Sequence, residues 1–180
     1  MSAELAGKRV AILAEELYED PELWYPYYRL LEAGAEVKIV GSGRAETFKS
    51  KHGYPVTPDL SIDKTLPENF DAVIIPGGYS PDHMRRKPAM VDFVREMDRA
   101  GKPVAAICHA GWMLVSAGIV KGRRATGFFS IKDDLVAAGA RYVDEPVVVD
   151  GNLITSRSPK DLPYFLPAII EALARARAAV

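Results

Sequence analysis

Short runs of consecutive apolar residues alternate along this chain with longer segments in which apolar residues recur every three or four positions. The runs are rich in small and β-branched residues, which is typical of strands that are buried on both faces. They predict strands over residues 8–14, 36–40, 71–75 and 104–107. The longer segments predict helices that begin near Asp20, cover 88–100 and 132–138, and begin again after Ser158. This alternation predicts an α/β domain whose mostly parallel central sheet is covered by helices on both faces.

Turn signals indicate where a ligand would bind on this domain. Two apolar strands about Asp150-Gly151 predict a hairpin, and shorter strands are predicted over 47–51 and 54–57. In a mostly parallel sheet, ligands bind beyond the carboxyl ends of the strands. We therefore expect three features to lie together at that edge, namely the turn 15–19, the Gly77-Gly78 turn and Cys108.

Composition narrows the class of protein. The 180 residues are 48% hydrophobic and 26% charged, which is enough for one domain with a substantial core, and residues 1–7 are predicted to be a loose extension. A net charge of −1 gives no electrostatic basis for binding nucleic acid or a membrane. One cysteine excludes an internal disulfide, and no apolar segment has the length of an export signal or a membrane span. We therefore predict a single cytoplasmic domain.

The single cysteine, Cys108, directly follows the strand 104–107 and precedes a helix that Gly118 is placed to end. At such a turn the free backbone N–H groups and the positive end of the helix dipole favour a thiolate. With His109 next to it, Cys108 has the context of a nucleophile elbow in which sulfur replaces the usual hydroxyl. The alternative is a buried, unreactive cysteine, because free cysteine is among the most buried residue types.

No cofactor or metal is predicted. The turn after the first strand carries carboxylates from Glu15 to Asp20, and these would repel the phosphate of a flavin or dinucleotide. Gly41-Ser42-Gly43 is a weak nucleotide fingerprint, since Glu46 stands where a third glycine would fall. The chain's three histidines are widely separated, and none has zinc-binding spacing.

Several motifs in the chain together resemble one family. Glu19-Asp20 after the first strand, Pro76-Gly77-Gly78, and Ala106-Ile107-Cys108-His109 resemble the ThiJ/PfpI superfamily, and its PfpI-type intracellular proteases in particular. The resemblance extends from about Lys8 to the final helix. It implies a flavodoxin-like three-layer α/β sandwich related to class I glutamine amidotransferases.

The resemblance also implies roles for particular side chains. It implies that Cys108 is a reactive cysteine hydrogen-bonded by a protonated Glu19, and that His109 is the general base. It implies a homo-oligomer in which Asp82 of a neighbouring subunit orients that histidine. Glu19 could instead be an exposed carboxylate at a helix start, and Asp82 could be a helix N-cap. The neighbouring Glu15 and Glu16 match no motif, and we interpret both as solvated.

The remaining site residues form the expected oxyanion and substrate pocket. Gly77 and Gly78 together with the backbone that follows Cys108 would hold an oxyanion. Ala110 stands where relatives often have glycine, and Phe128 stands where some have a tyrosine. The missing hydroxyl weakens any mechanism that needs a phenol at this position.

Two classes of function follow. The first is an enzyme in which Cys108 attacks an electrophilic carbonyl. The resemblance implies two substrate classes: reactive dicarbonyls and their adducts, as in glyoxalase III and deglycases, or peptides. We favour a stress-protective enzyme that forms a hemithioacetal at Cys108, because peptide hydrolysis needs an extended groove and the sequence shows none. The second class is a redox-sensing or chaperone-like stress protein, because an accessible thiolate oxidises selectively to sulfinate.

Overall fold

The structure, a computed structural model, describes residues 4–176 of the 180-residue chain. Its strands are β1 (Arg9–Ala14), β2 (Glu36–Gly41), β3 (Phe48–Lys49), β4 (Pro55–Val56), β5 (Leu60–Ser61), β6 (Ala72–Ile75), β7 (Val104–Ile107), β8 (Arg124–Ala125), β9 (Arg141–Tyr142), β10 (Val147–Asp150) and β11 (Leu153–Ser156). The large sheet has the order β10-β11-β7-β6-β1-β2-β5. Its neighbouring strands are parallel except β10 and β11, which form the expected antiparallel hairpin. The prediction of a mostly parallel α/β sheet is confirmed.

Helices cover both faces of this sheet. They are α1 (Asp20–Glu32), α2 (Ser80–Met84), α3 (Pro88–Arg99), α4 (Gly111–Ala117), α5 (Lys132–Ala137) and α6 (Leu162–Arg175). Successive side chains of a strand point to opposite faces. In β1, Val10 and Ile12 accordingly join the core under α1 and α6, whereas Ala11 and Leu13 join the core under α3, α4 and α5. The result is a three-layer sandwich with two apolar cores.

The last helix begins later than its sequence pattern predicts. Ser158 precedes a 3₁₀ turn over Pro159–Asp161, and α6 starts only at Leu162. Arg157 binds the Asp161 carboxylate through two hydrogen bonds of 2.8 and 3.1 Å. Because 3₁₀ turns are frequent at helix termini, the serine and proline mark the entrance to the helix rather than its first turn.

The amino-terminal segment is more ordered than predicted. Leu5 is fully buried in the core under α1, and its backbone N–H donates to the Ala33 carbonyl at 2.9 Å. The prediction of a loose extension over residues 1–7 is therefore wrong for residues 4–7, while residues 1–3 lie outside the described part. No helix between residues 4 and 176 combines the length and the apolar character needed to cross a membrane.

Candidate active site

The three turns expected at one edge of the sheet do meet there. Backbone hydrogen bonds join the turn after β1 to the other loops, from Leu17 N–H to the Lys49 carbonyl at 2.7 Å and from Tyr79 N–H to the Leu17 carbonyl at 2.9 Å. Tyr18 forms bridges to both Ser50 and Gly78. The loops are therefore fixed by main-chain contacts, and they surround the carboxyl end of β7, where Cys108 follows.

Cys108 has the backbone strain of a nucleophile elbow. Its φ angle is +61°, and Leu17 is the other non-glycine residue of the described chain with a positive φ. A side chain in this region is strained, and such strain is typical of functional sites. The thiol is buried, with 6% of the residue exposed, and Sγ lies 3.2 Å from Nδ1 of His109. The strained turn thus brings two adjacent side chains into contact.

The carboxyl group beside the thiol belongs to Glu22. This residue is fully buried in the first turn of α1, its Oε2 accepts a 2.7 Å hydrogen bond from the Gly77 N–H, and its side chain interacts with the Cys108 thiol. A Cβ atom at Gly77 would come within 2.6 Å of Glu22 Oε2 and 2.7 Å of Cys108 Cβ. Only glycine therefore leaves room for the pair.

Glu19, which the resemblance implied as this partner, lies elsewhere. Its carboxylate binds Nζ of Lys51 at 2.8 Å, and the residue is the N-cap of α1. The assignment of the thiol's partner to Glu19 is therefore corrected to Glu22. A sequence signal for Glu22 does exist: Glu22, Pro26 and Leu30 are spaced four apart on the buried face of the helix. A carboxyl group on that face is directed inward.

Burial sets the protonation of the pair. It raises the pKa of Glu22 to about 8, so that this carboxyl group holds its proton at neutral pH. Burial, and then the negative charge of an ionised Glu22, raise the pKa of the Cys108 thiol to about 12, while the N–H groups of Gly78 and His109 oppose that rise. The expectation of an accessible thiolate favoured by the turn is therefore wrong: burial outweighs the N–H groups, and the thiol keeps its proton at neutral pH. Because the two groups interact, their protons are lost as a pair. A protonated Glu22 removes the repulsive charge and offers the sulfur a hydrogen-bond donor.

His109 is half-buried between aromatic rings. Phe128 stacks on the imidazole with ring centres 4.8 Å apart, and Nε2 lies 3.3 Å from Oγ of Ser130. Burial lowers the pKa of His109, which favours the neutral imidazole required of a base. Sequence reasoning missed Ser130, because no local pattern links it to a residue 21 positions earlier.

Three further residues are predicted in the site, and the structure places each of them differently. Gly78 has a φ of +69°, and a Cβ there would lie 2.4 Å from the Leu17 carbonyl, so glycine is needed where the loops cross. The Ala110 side chain is fully buried in the core under α4, and the predicted place of this residue in the oxyanion and substrate pocket stays a prediction. Asp82 pairs with Arg86 one turn along within its own chain, and its role across a subunit interface stays a prediction.

Glu15 is buried, so the interpretation of this residue as solvated is wrong. It is 1% exposed, and its carboxylate accepts hydrogen bonds from Ser42 at 2.6 Å and from Arg44 at 3.0 and 3.1 Å. Burial would raise the pKa of Glu15, but the hydrogen bonds from Arg44, Ser42 and the Glu16 N–H outweigh it and lower the pKa. This carboxylate therefore stays charged and joins the loops after β1 and β2.

A cluster near the site has the composition of a metal site. Among the described residues, Glu19, Asp20 and His52 bring one ligand atom each within 4.8 Å of one another. The ammonium group of Lys51 already binds Glu19, and His52 Nδ1 binds Asp20 at 2.8 Å. These contacts account for the cluster without an ion.

Comparisons with known proteins agree with this architecture. A model of the DJ-1/PfpI family matches residues 8–172. Deglycase PfpI of Pyrococcus furiosus is 42% identical over 165 residues, covering 92% of this chain and 99% of that protein. Protein/nucleic acid deglycase 2 of Escherichia coli is 42% identical over 161 residues, covering 88% and 94%. The crystal structure of Drosophila melanogaster DJ-1beta superposes with a TM-score of 0.87 at 32% identity, covering 97% of this chain and 91% of that one.

Proposed function

The chain belongs to the DJ-1/PfpI family, and on that premise we propose that it is a cysteine-dependent enzyme acting on reactive dicarbonyls and their amine adducts. Two relatives are named deglycases, which supports a deglycase-like role. The observation that carries the proposal is the strained Cys108, whose thiol contacts both the buried Glu22 carboxyl group and the His109 imidazole. With this set, the sulfur can bind a carbonyl carbon while the two neighbouring groups move the protons.

The first step forms a bond between Sγ and the aldehyde carbon. The thiol proton passes to Nδ1 of His109, and the electrons of the C=O double bond move to oxygen, which takes a proton from Glu22. The N–H groups of Gly78 and His109, which hydrogen-bond to the sulfur, stabilise the developing oxyanion. In an amine adduct the amine leaves from the same carbon with the proton of Glu22, while His109 keeps the proton of the thiol. Both routes lead to a thiohemiacetal on Cys108.

The second step needs no external oxidant. The Glu22 carboxylate removes the hydrogen from the sulfur-bound carbon as a proton, and the ketone oxygen takes the proton held by His109, which gives an enediol. Glu22 then returns its proton to the second carbon, while His109 removes the hydroxyl proton of the first. The first carbon is thereby oxidised to a thioester and its neighbour reduced to an alcohol. Water then cleaves the thioester, which yields a 2-hydroxycarboxylate and regenerates the thiol.

The test compares wild type with Cys108→Ser and Cys108→Ala. Lactate is measured from methylglyoxal, and separately from a preformed amine adduct with excess aminoguanidine present to trap free methylglyoxal. We expect both variants to lose about 10³-fold or more of the rate, because a catalytic nucleophile has no substitute nearby. Lactate formation by Cys108→Ala at the wild-type rate would disprove the mechanism. Lactate from methylglyoxal, but none from the amine adduct in the presence of aminoguanidine, would limit the activity to free dicarbonyls.

A redox role is favoured by one specific contact. The Glu22 carboxyl group that faces the sulfur could also hydrogen-bond to a sulfinate, which would stop oxidation at that stage. Intact mass after mild peroxide treatment tests this role. We expect wild type to gain two oxygen atoms and Glu22→Ala to proceed to three. An unmodified wild-type thiol would contradict the redox role and leave the enzymatic proposal in place.

A further inference from the structure

The second ring nitrogen of His109 has a partner within the same chain. Nδ1 faces Sγ of Cys108 at 3.2 Å, and Nε2 lies 3.3 Å from the hydroxyl oxygen of Ser130. Those two contacts are the side-chain hydrogen bonds made by the imidazole within residues 4–176. The ring is therefore held in a line from sulfur through imidazole to hydroxyl.

The segment that carries Ser130 is anchored to the nucleophile. Ser130 lies in a 3₁₀ turn over Phe129–Ile131, whose Ile131 N–H donates to the Phe128 carbonyl at 3.0 Å. Phe128 N–H in turn donates to the Cys108 carbonyl at 3.1 Å, and the Phe128 ring stacks on His109. The hydroxyl is thus placed by the same main chain that holds the thiol and the imidazole.

The chemistry of an imidazole base requires such a partner. Nδ1 can accept the thiol proton only if the neutral ring carries its own proton on Nε2. A hydroxyl oxygen beside Nε2 accepts that N–H and fixes both the tautomer and the ring plane, as the third member of a catalytic triad does. When Nδ1 is protonated, the same hydroxyl oxygen still accepts from Nε2.

We propose that Ser130 is a positioning residue that fixes the tautomer and orientation of His109 within a single chain. The inference rests on the proposed function for its catalytic meaning. It requires no residue of a neighbouring subunit. Asp82 pairs with Arg86 in its own chain, and its role across a subunit interface stays a separate prediction. Among the described residues, the charged and titratable groups that face His109 from neighbouring elements are Lys51, Glu19 and Tyr79, with Cys108 at Nδ1.

The test uses readouts that need no substrate. Histidine ¹⁵N shifts report the tautomer of His109, whose signals are identified among the three histidines by comparison with His109→Asn. The rate at which iodoacetamide alkylates Cys108, measured from pH 5 to 10, reports how readily His109 accepts the proton of the thiol. Ser130→Ala removes the hydroxyl, Ser130→Thr retains it, and Ser61→Ala is the matched control in β5 at the far edge of the sheet.

We expect Ser130→Ala to shift His109 toward a mixture of tautomers and to slow alkylation at pH 7 by about 10-fold. Ser130→Thr should restore both readouts, and Ser61→Ala should change neither. Ser130 is exposed, so these variants are expected to fold, which circular dichroism checks. An unchanged tautomer in Ser130→Ala, or a loss that threonine does not restore, would overturn the inference. If Ser130→Ala shifts the tautomer but the wild-type protein consumes no carbonyl compound, the proposed function is overturned and the positioning role of Ser130 stands.

Discussion

Glu22 and Glu19 lie three residues apart at the start of α1, yet their surroundings give them different chemistry. Glu22 is buried against Gly77 and Cys108, whereas Glu19 pairs with Lys51 on the surface side of the loop. A carboxyl group removed from water holds its proton to higher pH. Glu22 is therefore the residue able to donate a hydrogen bond to the sulfur at neutral pH.

The first prediction separates these two carboxyl groups. Above pH 8 an ionised Glu22 places a negative charge beside the sulfur and opposes formation of the thiolate. We expect the alkylation rate of wild-type Cys108 to level off or fall above pH 8, and Glu22→Gln to rise continuously. Glu19→Gln is the matched control and should keep the wild-type profile. A changed profile in Glu19→Gln, with Glu22→Gln unaffected, would return the role to Glu19.

At the scale of elements, the site forms where several loops cross and contact one another, and no single loop builds it. The turns after β1 and β6 lie so close together that a Cβ atom at Gly78 would clash with the Leu17 carbonyl oxygen. The hairpin formed by β3 and β4 adds Lys49 and Ser50 to this crossing. The spacing of these loops decides where Glu22 stands relative to Cys108.

A pair of glycine substitutions tests this crossing. Gly78 and Gly101 share a φ of +69°, but a Cβ at Gly101 would meet no atom within 4 Å. Both alanine variants should lose about 1 kcal/mol from the unfavourable backbone conformation. Gly78→Ala should lose more, by about 1–3 kcal/mol, together with most Cys108 reactivity, because its Cβ pushes the loops apart. Urea unfolding and alkylation rates measure both effects, and equal losses in the two variants would contradict the role of the crossing.

At the scale of the molecule, two buried carboxyl groups at the same edge of the sheet respond to pH in opposite directions. Burial raises the pKa of Glu22 to about 8, whereas hydrogen bonds from Arg44 and Ser42 outweigh burial at Glu15 and lower its pKa. The native state therefore binds the proton of Glu22 more tightly, and that of Glu15 less tightly, than the unfolded chain does. The stability of the whole fold depends on both groups.

For Glu22 the favourable contribution is full below its ordinary pKa of 4.5 and is lost as pH rises toward 8. We expect the free energy of unfolding of wild type, relative to Glu22→Gln, to fall between pH 5 and 8 by up to about 1.4 kcal/mol per pH unit. Urea unfolding at several pH values measures the difference. A flat difference would show that Glu22 has an ordinary pKa in the folded protein.

For Glu15 the sign is reversed, because its pKa is lowered in the folded protein. Its contribution is present above pH 4.5 and is lost as pH falls through the folded pKa. We expect Glu15→Gln to be less stable than wild type at pH 7 and to approach it in acid. Arg44→Met, which removes the other member of this ion pair, should show the same trend. A difference that grows in acid would contradict the assignment.

The amino-acid sequence by itself determined the features that depend on local backbone conformation and on periodicity. The strands before Cys108 and before Gly77-Gly78 follow from short apolar runs, and the elbow follows from a strand that ends at a cysteine. The sheet order places these turns at one edge because parallel strands share a carboxyl end. The first two relations hold between residues that are neighbours in the chain or members of one regular element, and the third follows from the shared direction of parallel strands.

Only the tertiary structure decided which side chains meet across that edge. Helical spacing directs Glu22 toward the interior, but its contact with the Gly77 N–H and the thiol depends on how α1 packs against a loop 55 residues further along the chain. The burial of Glu15 depends on Ser42 and Arg44, which the loop after β2 supplies, and the placement of Ser130 depends on the turn after β8. Such contacts form between segments distant in sequence, so their geometry follows from packing of the whole domain and not from any local pattern.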